Sequence, residues 1–315
     1  MYSLYPNIVP KIKEKIKDLN LTLLTDEPEK LIQQKKRFFR AFCLRKDGKR
    51  AFFKSLLAEE KGIKDRFLNE VGFAKTLGEN KNHPLYNFTA KTLGFSLNPA
   101  FLYILQECLP GNARESEDRF SQNETKKIAL ILKTIINSPV DAFKFTPKKP
   151  FFDFSIYKKS VGQFLKNIPL DRKIKTKIQD FIGQNKGLFN FVKPALSHGD
   201  FSEANLIFYK NTVKIVNWEH VHLRNPAYDF TEFWLKRREE PKEQKILKEG
   251  FLKYFKNKKY FSELFKMALI EICLRDLSLF WRVVKESKKS EEKERVKSYS
   301  NQFQIRLEII NKNLK

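Results

Sequence analysis

Leu196-Ser-His-Gly-Asp-Phe-Ser-Glu-Ala-Asn205, followed by Val216-Asn-Trp-Glu219 and Asn225-Pro-Ala-Tyr-Asp229, decides how this chain reads. Asp200 offers a carboxylate and Asn205, five residues on, a carboxamide. Gly199 allows a sharp backbone turn just before Asp200. Leu206-Ile-Phe-Tyr209 and Val213-Lys-Ile-Val216 are short apolar runs separated by Lys210-Asn-Thr212, the pattern of a β-hairpin. The second strand brings Asn217 back close to Asn205. One carboxylate and two carboxamides at a hairpin suit a hydroxyl-activating base beside a hard cation that takes oxygen ligands. Each residue alone has a plainer reading, as a turn, an N-cap or an Asx-turn. The order and spacing of the whole set favour chemistry.

Composition sets the outer bounds. A chain of 315 residues forms one large domain or two modest lobes. No run approaches the ~18 uninterrupted apolar residues of a membrane span, and Met1-Tyr-Ser-Leu-Tyr-Pro lacks the charged start and apolar core of a secretion signal. Cys43, Cys108 and Cys273 are far apart and form no metal spacing, so they read as reduced small hydrophobes in a cytoplasmic protein. The net charge of +25 invites a nucleic-acid reading, but only fifteen of the 62 basic residues are Arg. Arg supplies the forked contacts of phosphate and guanine recognition, and the 47 Lys are spread along the whole chain. Weak, salt-sensitive attraction to polyanions is expected, with no specific nucleic-acid partner and no membrane.

Lys11 to Lys17 places Ile12 and Ile16 at helical spacing. Phe38 to Arg45, the turn Lys46-Asp-Gly48 and Arg50 to Leu56 form a hairpin, with Lys54 among apolar neighbours of its second strand. Asp65 to Leu77 is helical, with Phe67, Val71, Ala74 and Leu77 at core spacing. Two more strands fall near Thr89 to Phe95 and Phe101 to Gly111. Beyond Gly111 the chain turns mainly helical: Asn123 to Ile136 with Asn123 as N-cap, Asp171 to Gly183, Tyr228 to Arg238, Glu243 to Phe255, Ser262 to Lys285, and a charged surface helix over Glu291 to Asn311. Pro139 to Pro150 is a loop.

His198-Gly199-Asp200, Asn205, Val216-Asn217-Trp218-Glu219 and Asn225-Pro-Ala-Tyr-Asp229 resemble the aminoglycoside phosphotransferase and choline kinase family of the protein-kinase-like fold. The resemblance runs from about Leu31 to Arg282 and is specific only at this central motif. It implies an α+β, bilobal protein-kinase-like fold, with a small antiparallel-sheet N-lobe over 1–111. A mainly helical C-lobe over 112–315 would carry the catalytic loop and the metal-binding hairpin. By the same resemblance the protein moves the γ-phosphoryl group of ATP, with Mg²⁺, to a hydroxyl of a small molecule of aminoglycoside, choline or sugar type, as a monomer or dimer.

The implied roles map onto single residues. Asp200 orients or deprotonates the acceptor, while His198 orients the loop and Asp229 is structural. Lys54 holds phosphates and Glu70 holds Lys54; the plainer alternative is a solvated strand edge and helix face. Backbone groups over Gln106, Glu107, Cys108 and Leu109 meet the adenine edge, with Leu56 and Leu206 or Ile207 sandwiching the ring. Leu31 to Arg37, where a phosphate loop is expected, contains no Gly. Glu203, Glu232, Glu271 and Asp276 are the acidic residues available to a cationic acceptor, each otherwise a helix charge or cap. Asn205 and Asn217 are the metal ligands. The family has Asp where this chain has Asn217, and Glu219 is a compensating carboxylate for the metal. An enzyme rescued by Glu219, a slow enzyme, and a nucleotide-binding pseudokinase all remain open.

Overall fold

The computed structural model describes residues 8–24, 37–58, 60–115, 118–146, 148–256, 258–286 and 293–314. The Gly-free stretch Leu31 to Arg37 lies outside them except for Arg37. Along the chain come α1 (Ile8–Asp18), β1 (Leu21–Leu23), β2 (Phe38–Arg45), β3 (Arg50–Leu56), α2 (Lys61–Glu79), β4 (Thr92–Ser96), β5 (Tyr103–Glu107) and β6 (Asn112–Ala113). Next are α3 (Gln122–Ile136), α4 (Phe154–Asn167), α5 (Arg172–Gln184), α6 (Leu188–Phe191) and β7 (Ala195–Ser197). A short 3₁₀ turn, Glu203–Asn205, precedes the hairpin β8 (Leu206–Tyr209) and β9 (Thr212–Ile215). The chain closes with β10 (His222–Arg224), α7 (Tyr228–Lys236), α8 (Pro241–Leu252), α9 (Phe261–Glu286) and α10 (Lys293–Asn313).

Two compact units form. The first gathers Met1–Arg119, Asn137–Lys148 and His198–His222; the second gathers Phe120–Ile136, Lys149–Ser197 and Leu223–Lys315. In the first, an antiparallel sheet runs in the order β1-β2-β3-β5-β4. Strand alternation assigns its two faces. Phe39, Ala41, Cys43, Ala51, Phe53, Tyr103 and Leu105 point to one side, where α1 covers them with Ile12 and Ile16. Each fully buried Phe there contributes about 1.5–3 kcal/mol. On the other side Phe38, Leu102 and Ile104 pack on Phe67, Val71 and Ala74 of α2. That face does not stay apolar: along β2 and β3 it continues with Arg40 opposite Lys54 and Phe42 opposite Phe52.

The hairpin β8–β9 clusters with this sheet unit because β6 pairs with β8, Asn112 opposite Phe208. Gly111, at φ +123, makes that approach, since a Cβ there would collide with the Phe208 carbonyl.

The second unit is helical and differs from the expected pattern at the start of α3. The cap of α3 is Ser121, not Asn123: Ser121 Oγ accepts from Glu124 N at 3.2 Å and Glu124 Oε2 accepts from Ser121 N at 2.8 Å, a reciprocal capping box. Helix α4 was not anticipated; Asp153 caps it and Tyr157, Val161 and Leu165 bury one face. Helix α10, charged as expected, packs on α9 rather than merely lying at the surface. Tyr299 meets Phe280 at 5.4 Å, Arg306 pairs with Asp276 at 3.0 Å, and Ile310 is buried. Asp229 is structural as read, accepting from Ser197 Oγ at 2.8 Å. No helix among the described residues is long and apolar enough to cross a membrane.

The two candidate caps separate cleanly by mutation. Ser121→Ala should cost about 1 kcal/mol of unfolding free energy in a denaturant titration and Asn123→Ala only a few tenths, because only the first removes an N-cap acceptor.

Candidate active site

Lys54 sits in β3 and is 1% exposed, so its ammonium must be paired. Its Nζ donates to Glu70 Oε2 of α2 at 2.6 Å and to Asn217 Oδ1 at 3.2 Å, and lies 3.7 Å from Glu219 Oε1. Asn217 Nδ2 in turn donates to Asn205 Oδ1 at 3.3 Å. Asn205 Nδ2 reaches the Asp200 carbonyl at 2.8 Å and its carboxylate Oδ2 at 3.2 Å. A single run of polar contacts therefore joins Glu70, Lys54, Asn217, Asn205 and Asp200.

The loop geometry follows from two backbone needs. Gly199 is at φ +78, where a Cβ would collide with the His220 carbonyl, so only Gly lets the two loops touch. Asp200 N donates to His198 Nδ1 at 3.3 Å, which leaves the proton on Nε2 to bond the Val216 carbonyl at 3.0 Å. His198 thus braces the loop through these two bonds. Trp218, against His198 at 4.7 Å and Phe73 at 4.3 Å, anchors the segment that carries Asn217.

A cavity of about 1060 Å³ opens beneath the sheet, in the size class of small-molecule sites. Lys54, Glu70, Gln106, Glu107, Cys108, Leu109, Asn205 and Asn217 all line it. Asp200 and Glu219 do not. At the linker, Glu107 N and Cys108 N are already bonded to the Lys91 and Arg50 carbonyls, whereas Leu109 N has no protein partner among the described residues. Glu107 Oε1 is held by Lys214 Nζ at 3.2 Å and by Lys91 N at 3.0 Å. Of the apolar residues expected around a base, Ile207 lines the cavity and Leu56 and Leu206 do not; Phe42, Phe52 and Val216 line it as well. Leu56 packs under α2 and Leu206 is fully buried.

Arg40, Phe42 and Phe52 were not singled out from sequence, although alternation from Lys54 puts Phe52 on its face and the hairpin register adds the other two. Glu219 is engaged by a cation of the sheet. Its Oε1 takes a hydrogen bond from Arg40 Nη2 at 2.8 Å. The acidic residues considered for a cationic acceptor are also engaged. Glu232 pairs with Arg275 at 2.9 Å, Asp276 with Arg275 at 3.1 Å, and Glu271 with Arg224 at 3.8 Å. Glu203 is buried at the start of the 3₁₀ turn. Burial holds the Glu271 carboxyl above the ordinary range, against the pull of Arg224 and Arg275.

No protein-family model and no curated protein matches the sequence. Solved structures do match. Spectinomycin phosphotransferase in complex with ADP and spectinomycin aligns at TM-score 0.59 and 12% identity over 96% of this chain and 98% of that one. Amicoumacin kinase in complex with AMP-PNP, Ca²⁺ and Ami aligns at 0.60 and 11% over 98% and 95%. Ethanolamine kinase of Plasmodium vivax aligns at 0.59 and 11% over 97% and 87%. The fold is that of the protein-kinase-like phosphotransferases. The likeness to the aminoglycoside phosphotransferase and choline kinase group, first drawn from the motifs, is matched by these neighbours.

A nucleotide fits the site physically: apolar rings at one end of the roof, cations at the other, and an unbonded N–H at the linker. Mg²⁺ fits in donor type only. Asn205 and Asn217 present hard carboxamide oxygens without charge, and no cluster of three His, Cys, Asp or Glu among the described residues would hold a metal by itself.

Two outcomes are expected. Gly199→Ala should cost about 1–3 kcal/mol of stability, because it forces a left-handed backbone on a residue with a Cβ and pushes the two loops apart; urea unfolding measures it. Glu271, with its folded pKa raised, contributes stability that is present at low pH and lost as pH rises through that value. The melting temperature of the native protein minus that of Glu271→Gln should therefore increase from about pH 7 to about pH 5.

Proposed function

We propose that the protein is an ATP-dependent phosphotransferase, with Mg²⁺ accompanying the nucleotide, that moves the γ-phosphoryl group to a hydroxyl of a small molecule of aminoglycoside, choline or sugar type. The observation that carries this reading is the unbroken polar run from Glu70 through Lys54, Asn217 and Asn205 to Asp200. It joins a phosphate-binding cation to a candidate base.

Phosphoryl transfer asks mostly for positioning and charge stabilisation. In this reading Phe42 and Phe52 cover the base, and Leu109 N donates to its edge. Lys54, fixed by Glu70, lies at the phosphates. Asp200, steered by Asn205, accepts the proton of the acceptor hydroxyl as its oxygen bonds to the γ-phosphorus. The bond from that phosphorus to the β-phosphate oxygen breaks, and ADP leaves with the electron pair. Asn205 and Asn217 would hold Mg²⁺, which when bound neutralises charge on the β- and γ-phosphates. The free thiols of Cys43, Cys108 and Cys273 suit a reducing cytoplasm.

A second reading, a nucleotide-binding pseudokinase, is favoured by one observation. Asn217 brings no charge, and the carboxylate nearest it, Glu219, is held by Arg40 and Lys54.

Saturating ATP should stabilise the protein by about 2–3 kcal/mol near a hundredfold excess over Kd, read as a melting shift, and Lys54→Ala should weaken that shift. A melting temperature indifferent to millimolar ATP would remove both readings. In a transfer assay across small alcohols, Asp200→Ala should lower the rate by about 10²-fold or more. Asn217→Asp should raise transfer or background ATP hydrolysis by on the order of tenfold. An Asn217→Asp variant that binds ATP but stays inert leaves the pseudokinase reading.

A further inference from the structure

We propose that Arg40 is a phosphate-binding residue of this site, tethered by Glu219, and that its charge lets the protein hold a nucleoside diphosphate without a divalent cation. The proposal rests on the nucleotide-binding reading above and adds to it a protein cation that stands in for the positive charge a metal would bring.

Three observations carry it. Arg40 of β2 stands directly opposite Lys54 of β3 in the antiparallel register, so both side chains leave the same face of the sheet. Both line the cavity. Like charges placed opposite each other repel unless an anion lies between them. Here that anion is Glu219, 2.8 Å from Arg40 Nη2 and 3.7 Å from Lys54 Nζ.

The roof of the cavity has an order. Phe42 and Phe52 form one cross-strand pair, with ring centres 5.6 Å apart, and Arg40 and Lys54 form the next pair on that face. Two residues along a strand advance about 7 Å, so a base under the aromatic pair leaves its phosphates under the cationic pair. A guanidinium has five N–H donors, and the described residues engage one of those on Arg40, through Glu219. The remaining fork suits a phosphate, which takes paired N–H donors as a carboxylate does. Arg40 is 30% exposed at its side chain, so an incoming anion can reach it.

The balance of charge points the same way. Besides Lys54 and Arg40, paired with Glu70 and Glu219, the cavity is lined by Arg45, Lys49, Arg50 and Lys91 against Glu107, and Asn205 and Asn217 add no charge. A metal is held more tightly where one of two such positions is a carboxylate, and here neither is. This site has its additional charge on the opposite side of the phosphates, as a cation.

The test is a titration of the full-length protein with adenosine and with ADP, each in Mg²⁺ and in EDTA, by calorimetry. The native protein should bind ADP in EDTA within about tenfold of its affinity in Mg²⁺. Arg40→Gln should lose at least about threefold more affinity for ADP than for adenosine in EDTA, so that the adenosine titration doubles as the folding control. Arg40→Lys, which keeps the charge without the fork, is the second variant and should fall between the two. Glu219→Gln should keep ADP binding in EDTA, because it removes a competing anion from Arg40. A native loss beyond about tenfold on metal removal, or an equal effect of Arg40→Gln on adenosine and ADP, overturns the proposal while leaving nucleotide binding intact. Failure of the native protein to bind either compound in either buffer overturns the underlying reading instead.

Discussion

A single buried ammonium constrains the first unit more than any other group. Lys54 Nζ cannot stay charged in an apolar interior without partners, and it draws them from three parts of the chain: Glu70 on α2, Asn217 after β9, and Glu219 beyond it. Removing one partner of such a pair costs about 3–5 kcal/mol, because it leaves a desolvated charge behind. The register of β3, the rotation of α2 and the path of the segment after the hairpin therefore meet at one point. Phe38 and Phe67 set ring faces 4.7 and 5.6 Å from the ammonium.

Strand alternation converts that point into a site. The residues that share a face with Lys54 could not all be apolar, because the cavity lies beneath part of it. The sheet accordingly has an apolar back under α1 and a divided front, apolar where α2 covers it and mixed aromatic and cationic elsewhere. The same period explains what was and was not legible in the sequence. The gathering of Asn205 with Asn217 could be read from the hairpin's spacing, whereas the pairing of Lys54 with Glu70 was implied by the family resemblance. Phe42 and Arg40 needed the partner register of the hairpin, which spacing alone does not supply. Leu56 and Leu206 or Ile207 were expected at the base; Ile207 lines the cavity, while Leu56 packs under α2 and Leu206 is buried.

The helical unit was legible to a different degree. Long periodic helices such as α9 were found to within a few residues. The start of α3 was misread because Asn123 and Ser121 are both good caps, and only the reciprocal bond with Glu124 chooses between them. Helix α4 has Ser and Gly in its interior, which weakens its intrinsic signal; Asp153 and three buried residues hold it instead. Helix α10 carries many charges, but Tyr299, Phe303, Arg306 and Ile310 recur on one side of it, where α9 supplies aromatic and acidic partners.

Asn217 is where backbone and charge requirements coincide. Its φ of +65 lies in the left-handed region, which Asn tolerates better than most residues with a Cβ. Asp is tolerated there nearly as well, so the backbone alone does not select a neutral side chain. Electrostatics does more. With Asn, the carboxamide bridges Lys54 to Asn205 by accepting from the ammonium on one side and donating to the second carboxamide on the other. An Asp at this position could accept from Lys54 but not donate to Asn205, so the polar run toward Asp200 would break unless a cation replaced the lost donor. The neutral residue thus keeps the run from Lys54 to Asp200 connected through its own acceptor and donor.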